Sequence, residues 1–490
     1  MKVFKSFPQI VRYGLLFYFL IPYFIFIKYF SLDLNLDYQE LSWAFKNSLI
    51  QSSITAALVT LLSIPFSLGL FALKPTASLV ASKLLLIPQI LPTLFSILIA
   101  FSILNPFPMG TAGIIFIFVL IHLGFATVLV HSATQEKMSG YSMNSEIYGI
   151  SRLQFFRRIY FPILKFELLA TFVMIFVFCF ASFSVPLVAG GGRGTNLEVL
   201  IFEKIFIGQN WPAAWTLNIF QSLFIFILSF SILKNRQYEP QEFFAGNYLR
   251  SKLGLCGIGI YLLIYLGGYA FGVLKSLSGF DQLITFSAEI LTATIRSFQI
   301  LTVYLAACFI LLYAWIYDFV KNGSQNISSH LISSSTILVS FSFYLLFPSS
   351  NYGDYFKITL AMSILFFPSL FKSFLEKPLE KIKSQIFTAQ IYGIDSTKII
   401  SVIVLRQIKR PLFLWISFLV VWFLSDFAIL KSLGVQRSTI GLMAESFLSS
   451  YRLSLAYLLS LYILFLWLVT MAAIYFVSGV IDVINKKSST

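Results

Sequence analysis

The tetrapeptide Ile-Tyr-Gly-Ile occurs twice in this 490-residue chain, at 147–150 and, 244 positions later, at 391–394. The surrounding segments, SEIYGISRLQFFRRIYFP and AQIYGIDSTKIISVIVLR, are polar and basic, and each lies between long apolar runs. A spacing of half the chain implies two related halves, 1–240 and 241–490. Whatever architecture one half adopts, the other must also adopt, with the repeated loop at the same place in each.

Hydrophobic residues make up 58% of the chain and charged residues only 11%, which is too apolar for a soluble protein of this size to cover with polar surface. Runs of about 20 apolar residues, enough to cross a hydrocarbon core of about 30 Å, recur throughout. They fall at 10–30, 49–73, 83–104, 111–133, 166–188 and 213–233, then at 253–274, 288–313, 331–347, 358–374, 411–429 and 453–477. The expected fold is an all-α integral membrane protein of about 12 transmembrane helices in two six-helix repeats. An even number of helices per half brings both halves into the membrane from the same side, so the repeat is parallel. No small-residue cleavage site follows the first run, which therefore reads as a retained helix and not a signal peptide.

The net charge of +15 follows the same topology. With both termini cytoplasmic, the inner segments hold 25 of the 35 Lys and Arg residues and the outer loops hold 9, with Arg296 inside a span. That is the asymmetry expected when cytoplasmic loops carry the basic excess. Basic residues that punctuate helix ends do not form the patch or stripe of a nucleic-acid binder, so no nucleic-acid partner is expected. Cys179, Cys256 and Cys308 lie in apolar runs without metal-ligand spacing and read as packing residues. The polar stretch 234–252 joins the halves as a short cytoplasmic linker.

In the first repeated loop, Leu153, Phe155 and Phe156 with Arg157 and Arg158 give a short amphipathic helix whose apolar face needs a partner. Gly149 permits a sharp turn or a close backbone approach. Pro162 can open the next helix, where its missing N–H is not needed. The expected structure is helix, turn, helix across the cytoplasmic surface, leading into a span.

Gly149, Ile159, Phe161 and Pro162 follow a pattern of glycine, nine residues, an aliphatic residue, any residue, an aliphatic or aromatic residue and proline; the second copy keeps Gly393, Ile403 and Leu405. This resembles the EAA loop of binding-protein-dependent ABC transporter permeases. The three positions that name the motif are Met143, Asn144 and Ser145, then Phe387, Thr388 and Ala389; only Ala389 agrees, and Arg406 replaces the proline. The resemblance implies that each loop, about 134–163 and 376–410, is a coupling helix docking into an ATP-hydrolysing subunit. The positions it singles out are Met143, Glu146, Tyr148, Gly149, Arg152, Leu153, Phe155 and Pro162, then Ala389, Tyr392, Gly393, Ser396 and Lys398. It implies two copies of an ATP-binding subunit carrying the ATP and Mg, a periplasmic substrate-binding protein, and the bilayer of a bacterial inner membrane. The chain itself has no Walker Gly-Lys-Ser or Gly-Lys-Thr after a strand, so it reads as a transport subunit without enzyme activity or a bound cofactor.

The fused arrangement is similar to the permeases that serve iron(III) and thiamine. Gly190, Gly191, Gly192, Thr195, Leu197, Glu198 and Val199 resemble the thiamine permeases, as do Ser425, Asp426, Phe427, Tyr451 and Arg452. Thiamine or its phosphate esters are the expected solute, with iron(III) as the alternative. The glycine-rich loop at 190–194 reads either as a contact for the binding protein or a gate, or as a flexible turn. Asp426 lies where the repeat places Ser182. It is a candidate for attracting a cationic thiazolium beside the rings of Phe427 and Trp422, or else an Asp satisfied by Lys431, a hydroxyl or water.

Glu289 and Arg296, seven residues apart, share one face of the eighth helix and read as a packing pair. His122 and His131 have no nearby carboxylates in sequence and read as structural. An ion-driven secondary transporter with six plus six helices shares the repeat and the charge asymmetry. It leaves unexplained the glycine-centred loop after the fourth span of both halves.

Overall fold

The computed structural model describes residues 2–28, 37–138, 140–232, 246–322, 335–347, 350–435 and 437–487. Residues 234–245 of the linker and 331–334 of the ninth expected span lie outside them. Helix is the only regular structure among the described residues. A bilayer favours this, because backbone N–H and C=O groups find no water there and a helix pairs them internally. Eight helices are long and apolar enough to cross a membrane, and two bent pairs raise the number to ten. The protein is an all-α, multi-pass integral membrane protein.

The difference from twelve lies in two places. The first expected span falls in the helix Lys2–Lys28, whose described apolar stretch is Val11–Ile25. The ninth is the 11-residue helix Thr336–Leu346, about 16 Å long, half of a hydrocarbon core. Two other spans belong to bent pairs. The third divides into Pro75–Ile90 and Thr93–Ile103, bent by 95°; Pro92 pushes Leu91 out of the helical region to ψ 147°. The eleventh, expected at 411–429, is the helix Lys409–Ser425, which joins Ser396–Gln407 of the preceding loop through a bend of 80° at Ile408. Pro411 has no N–H to return to the carbonyl of Gln407, so the helix loses a bond at the bend.

The chain forms two compact units, Ser31–Lys275 and Met1–Phe30 with Ser276–Thr490. Each includes a helix from the other half of the sequence. In the first unit the helix Tyr38–Leu70 lies against Thr111–Met138, Phe161–Phe180 and Lys252–Leu262. The last contact depends on glycine: a Cβ at Gly254 would stand 1.8 Å from the Pro65 carbonyl oxygen. Tyr261 donates its hydroxyl proton to the Leu120 carbonyl at 2.8 Å. His122 pairs with Gln89 at 2.7 Å and His131 with the Ser67 carbonyl at 3.3 Å, so both histidines pin helices together. Lys137 reaches Glu167 at 2.6 Å.

In the second unit the helix Lys2–Lys28 lies against Ser287–Asn322 and Thr336–Leu346. Phe19 is buried between Trp315 and Phe367, at ring separations of 5.8 and 6.3 Å. Arg296 does not pair with Glu289. Its guanidinium donates to Asp354 Oδ2 at 3.0 Å, and Lys357 Nζ stands 2.8 Å from the other carboxylate oxygen. The helix Tyr352–Phe374 passes close enough to offer Asp354, and a buried cation gains more from that carboxylate than from an exposed glutamate a turn and more away. Cys179 and Cys308 are buried as packing residues, whereas Cys256 is exposed.

One polar device recurs in both units. Ser48 accepts a hydrogen bond from the Leu197 N–H at 2.9 Å, at the start of the helix Leu197–Phe206. Ser297 accepts one from the Ile440 N–H at 3.0 Å, at the start of Ile440–Ser449. Asn196 and Thr439 cap the same two helices. In each case a buried serine on a long helix satisfies one of the N–H groups that a helix start leaves orphaned.

Candidate functional site

The first repeated loop is built from two short helices and a glycine turn. The helix Tyr141–Ile147 ends at Gly149, whose φ of 65° is left-handed. Gly149 N–H bonds to the Glu146 carbonyl at 3.1 Å and Ile150 N–H to the Ser145 carbonyl at 3.0 Å, the closure expected when glycine terminates a helix. Ser151 then opens Arg152–Phe155 through a reciprocal capping box with Gln154. A π-helical turn, Phe156–Tyr160, leads into Phe161–Phe180 with Pro162 in its first turn. Arg152–Phe180 is thereby one continuous element.

The second loop repeats these steps on different side chains. Lys383–Ile391 ends at Gly393, φ 73°, with Ile394 N–H bonded to the Ala389 carbonyl at 3.1 Å. Asp395 caps Ser396–Lys398 and accepts from the backbone and hydroxyl of Thr397. That hydroxyl bond, with the backbone bond behind it, holds the Asp395 carboxyl below the usual carboxylate range. A π-helical turn, Ile399–Val404, follows. Where the first loop runs on unbroken, this one meets the 80° bend at Ile408.

The two loops present matching surfaces. Met143, Ile147 and Tyr148 are exposed, and so are Phe387, Ile391 and Tyr392 at the same repeat positions. The two tyrosines are 80% and 78% exposed, which leaves a large apolar face uncovered by the described residues. Leu153 adds to the first face, and Lys398 is exposed beside the second. Phe155, Ala389 and Ser396 are buried instead, facing inward from the loops. Phe155 belongs to the core with Met138, Tyr160 and Leu164. Glu146 and Arg152 bond to residues 247–250. Ile147, Phe387 and Ile391 join the surface although the sequence pattern singles out only their neighbours. The signal for Ile147 and Ile391 was the duplicated tetrapeptide, which each of them opens, and that for Phe387 was its place at the repeat position of Met143.

The glycine-rich loop is tightly held at its base. Ala189 accepts from Gly110 N–H at 2.8 Å, Gln51 donates to the Gly194 carbonyl at 2.9 Å, and Asn47 donates to the Thr195 carbonyl at 3.1 Å. Gly190 is buried, whereas Gly191, Gly192 and Arg193 form an exposed tip. Gly191 and Gly192 have φ of 53° and 73°, so the tip is a turn that glycine makes without strain. Asp426 Oδ1 accepts from Ile429 N–H at 2.9 Å and so begins the short helix Ala428–Ser432. Lys431 is engaged by Glu445 at 2.7 Å. Phe427 is buried, and Trp422 packs edge-on against Phe366. No group of His, Cys, Asp and Glu among the described residues is arranged to hold a metal ion.

Over a 76-residue stretch the chain is 37% identical to the thiamine transport system permease protein ThiP of Haemophilus influenzae. The stretch covers 15% of this chain and 14% of that protein. No protein-family model matches the chain, and no solved structure matches it.

Proposed function

We propose that this chain is the membrane-spanning permease of an ABC importer, with the loops at 134–163 and 376–410 as its two coupling elements. What supports this is the duplicated surface: Met143, Ile147 and Tyr148 around one left-handed glycine, Phe387, Ile391 and Tyr392 around the other. A pair of like apolar faces suits a partner that is itself two copies of one ATP-binding subunit. Such patches, uncovered by the described residues, mark protein–protein contact sites.

ATP and Mg are held by that partner. Its closure on ATP draws the coupling loops together and turns a pathway between the halves 1–240 and 241–490 outward; hydrolysis and product release reset it. The first loop passes this motion to Phe161–Phe180 through a continuous helix, the second to Lys409–Ser425 through the bend at Ile408. Both termini are cytoplasmic in a bacterial inner membrane. The solute is thiamine or a phosphate ester, supported by the residues at 190–199 and by the partial likeness to a thiamine permease. A periplasmic binding protein delivers it, with the tip at 191–193 as a candidate contact. Asp426 is the candidate on the solute path, its carboxylate attracting a cationic thiazolium.

The test is purification with co-expressed partners, then ATP hydrolysis in liposomes supplied with the binding protein. Thiamine-stimulated hydrolysis is expected. An ATPase that co-purifies without thiamine stimulation moves the solute to iron(III) or another solute, and the lack of any ATPase contradicts the proposal.

A further inference from the structure

The end of the segment that joins the halves is bonded to the first coupling loop at five points. Gly246 N–H donates to Ser142 Oγ at 2.7 Å, and Tyr248 N–H donates to Glu146 Oε1 at 2.9 Å. Asn247 Nδ2 reaches Glu146 Oε2 at 3.4 Å, the Tyr248 hydroxyl donates to the Ile150 carbonyl at 2.7 Å, and Arg152 Nη2 reaches the Arg250 carbonyl at 3.4 Å. Leu249 is fully buried in the core that holds Phe155, Tyr160 and Leu164. Tyr248 lies 5.7 Å from the Phe155 ring. Gly246 sits so close that a Cβ would stand 2.5 Å from Ser142 Oγ and 2.9 Å from the Met143 nitrogen. Ser251 N–H closes the segment onto the Leu68 carbonyl at 3.1 Å.

The second loop is held in another way. Gln390, at the repeat position of Glu146, is a donor where Glu146 is an acceptor, and it bonds to the Val320 carbonyl near the end of Ser287–Asn322. A glutamate that accepts two bonds and a glutamine that donates one cannot be exchanged without losing partners.

We propose that residues 246–251 are a clip, built into the chain, that positions the first coupling loop for its ATPase, so that the two docking faces are set by different means. This rests on the permease assignment for its partner but not for its geometry. Glu146 is then a positioning residue that acts through the backbone of the clip, and its carboxylate does not contact the ATPase. The clip stays closed through the transport cycle, because Leu249 is buried in the same core as the loop it holds.

Three variants separate these roles. Glu146→Gln keeps an acceptor for the Tyr248 N–H and gives up only the longer bond from Asn247; Glu146→Ala removes both. Gly246→Ala inserts a methyl between clip and loop without touching the exposed face. In liposomes with the ATPase and binding protein, solute moved per ATP hydrolysed is expected to fall about tenfold in Glu146→Ala and Gly246→Ala, as when one to two hydrogen bonds are lost. Glu146→Gln should stay within about twofold of wild type. Amide hydrogen exchange of 246–251, which needs no ATPase, should accelerate in the first two variants and not in the third. Equal loss in Glu146→Gln and Glu146→Ala would mean that the charge itself is used, and overturns the proposal. So does unchanged coupling in Gly246→Ala with accelerated exchange. If exchange responds as stated while wild type shows no ATP-driven uptake, the permease assignment fails and the clip stands.

Discussion

Asp354 balances two buried cations, and removing its charge should cost more than removing either of them. Its oxygens lie 3.0 Å from Arg296 Nη2 and 2.8 Å from Lys357 Nζ. The Lys357 side chain is fully buried, and those of Arg296 and Asp354 are 11% and 7% exposed. Arg296→Gln leaves Asp354 and Lys357 as a one-to-one pair, at the cost of a charge-assisted hydrogen bond, about 1.5–3 kcal/mol. Asp354→Asn leaves two cations without a counter-charge, one of them fully buried and the other nearly so. Stripping one partner from a buried pair costs about 3–5 kcal/mol, and here both cations lose the same partner. Asp354→Asn should therefore sit at or above the top of that range, about 2–3 kcal/mol below Arg296→Gln, which is roughly thirtyfold to a hundred-and-sixtyfold in the folded ratio. Adding Lys357→Met to Asp354→Asn removes one of the stranded charges and should recover part of the loss. The assay is thermal unfolding of the detergent-purified variants, followed by the monodisperse fraction surviving on size exclusion. The expected order of midpoints is wild type, Arg296→Gln, the double variant, Asp354→Asn. Arg296→Gln melting as low as Asp354→Asn would refute the idea that the carboxylate balances this cluster.

Ser48→Ala and Ser297→Ala each leave a buried helix-start N–H unpartnered, so each should lose about 1–3 kcal/mol, and thermal midpoints of the two variants should fall together. Gly149→Ala and Gly393→Ala meet no neighbouring atom, so each should carry only the left-handed backbone penalty of about 1–2 kcal/mol; uptake should fall, with Asn at either position better tolerated than Ala, as read by ATP-driven transport. Tyr148→Asp with Tyr392→Asp places charge on both exposed faces. It should abolish ATP-driven uptake while leaving the amount and melting of the chain unchanged.

Much of the framework was legible because it depends on local chemistry. A long apolar run can only be a helix in a bilayer, and Gly149 and Gly393 announced turns that the structure closes with left-handed φ. The bend within the third expected span was present as Pro92, but hydropathy averages over a proline and draws one span through it; Pro411 instead opened the eleventh expected span, and nothing in the hydropathy joined that span to the helix before it. Asp354 lies 58 positions from Arg296, and nothing local distinguishes it from Glu289, which shares a helix face with the arginine. The clip was least legible. Residues 246–251 are a short polar stretch without periodicity, and three of the five bonds that fix them involve a backbone N–H or carbonyl of the segment itself. The placement of each half's first helix in the unit built mainly from the other half likewise leaves no mark in the repeat.

Photo-crosslinking residues introduced in place of Tyr148 and Tyr392, in membranes of the native host, test the coupling surfaces most directly. Both positions should crosslink to one and the same ATP-binding subunit, identified by its Walker motif, and ATP should change the yield at both. Crosslinks to lipid alone at both positions, from chain that is inserted and intact, would contradict the permease assignment.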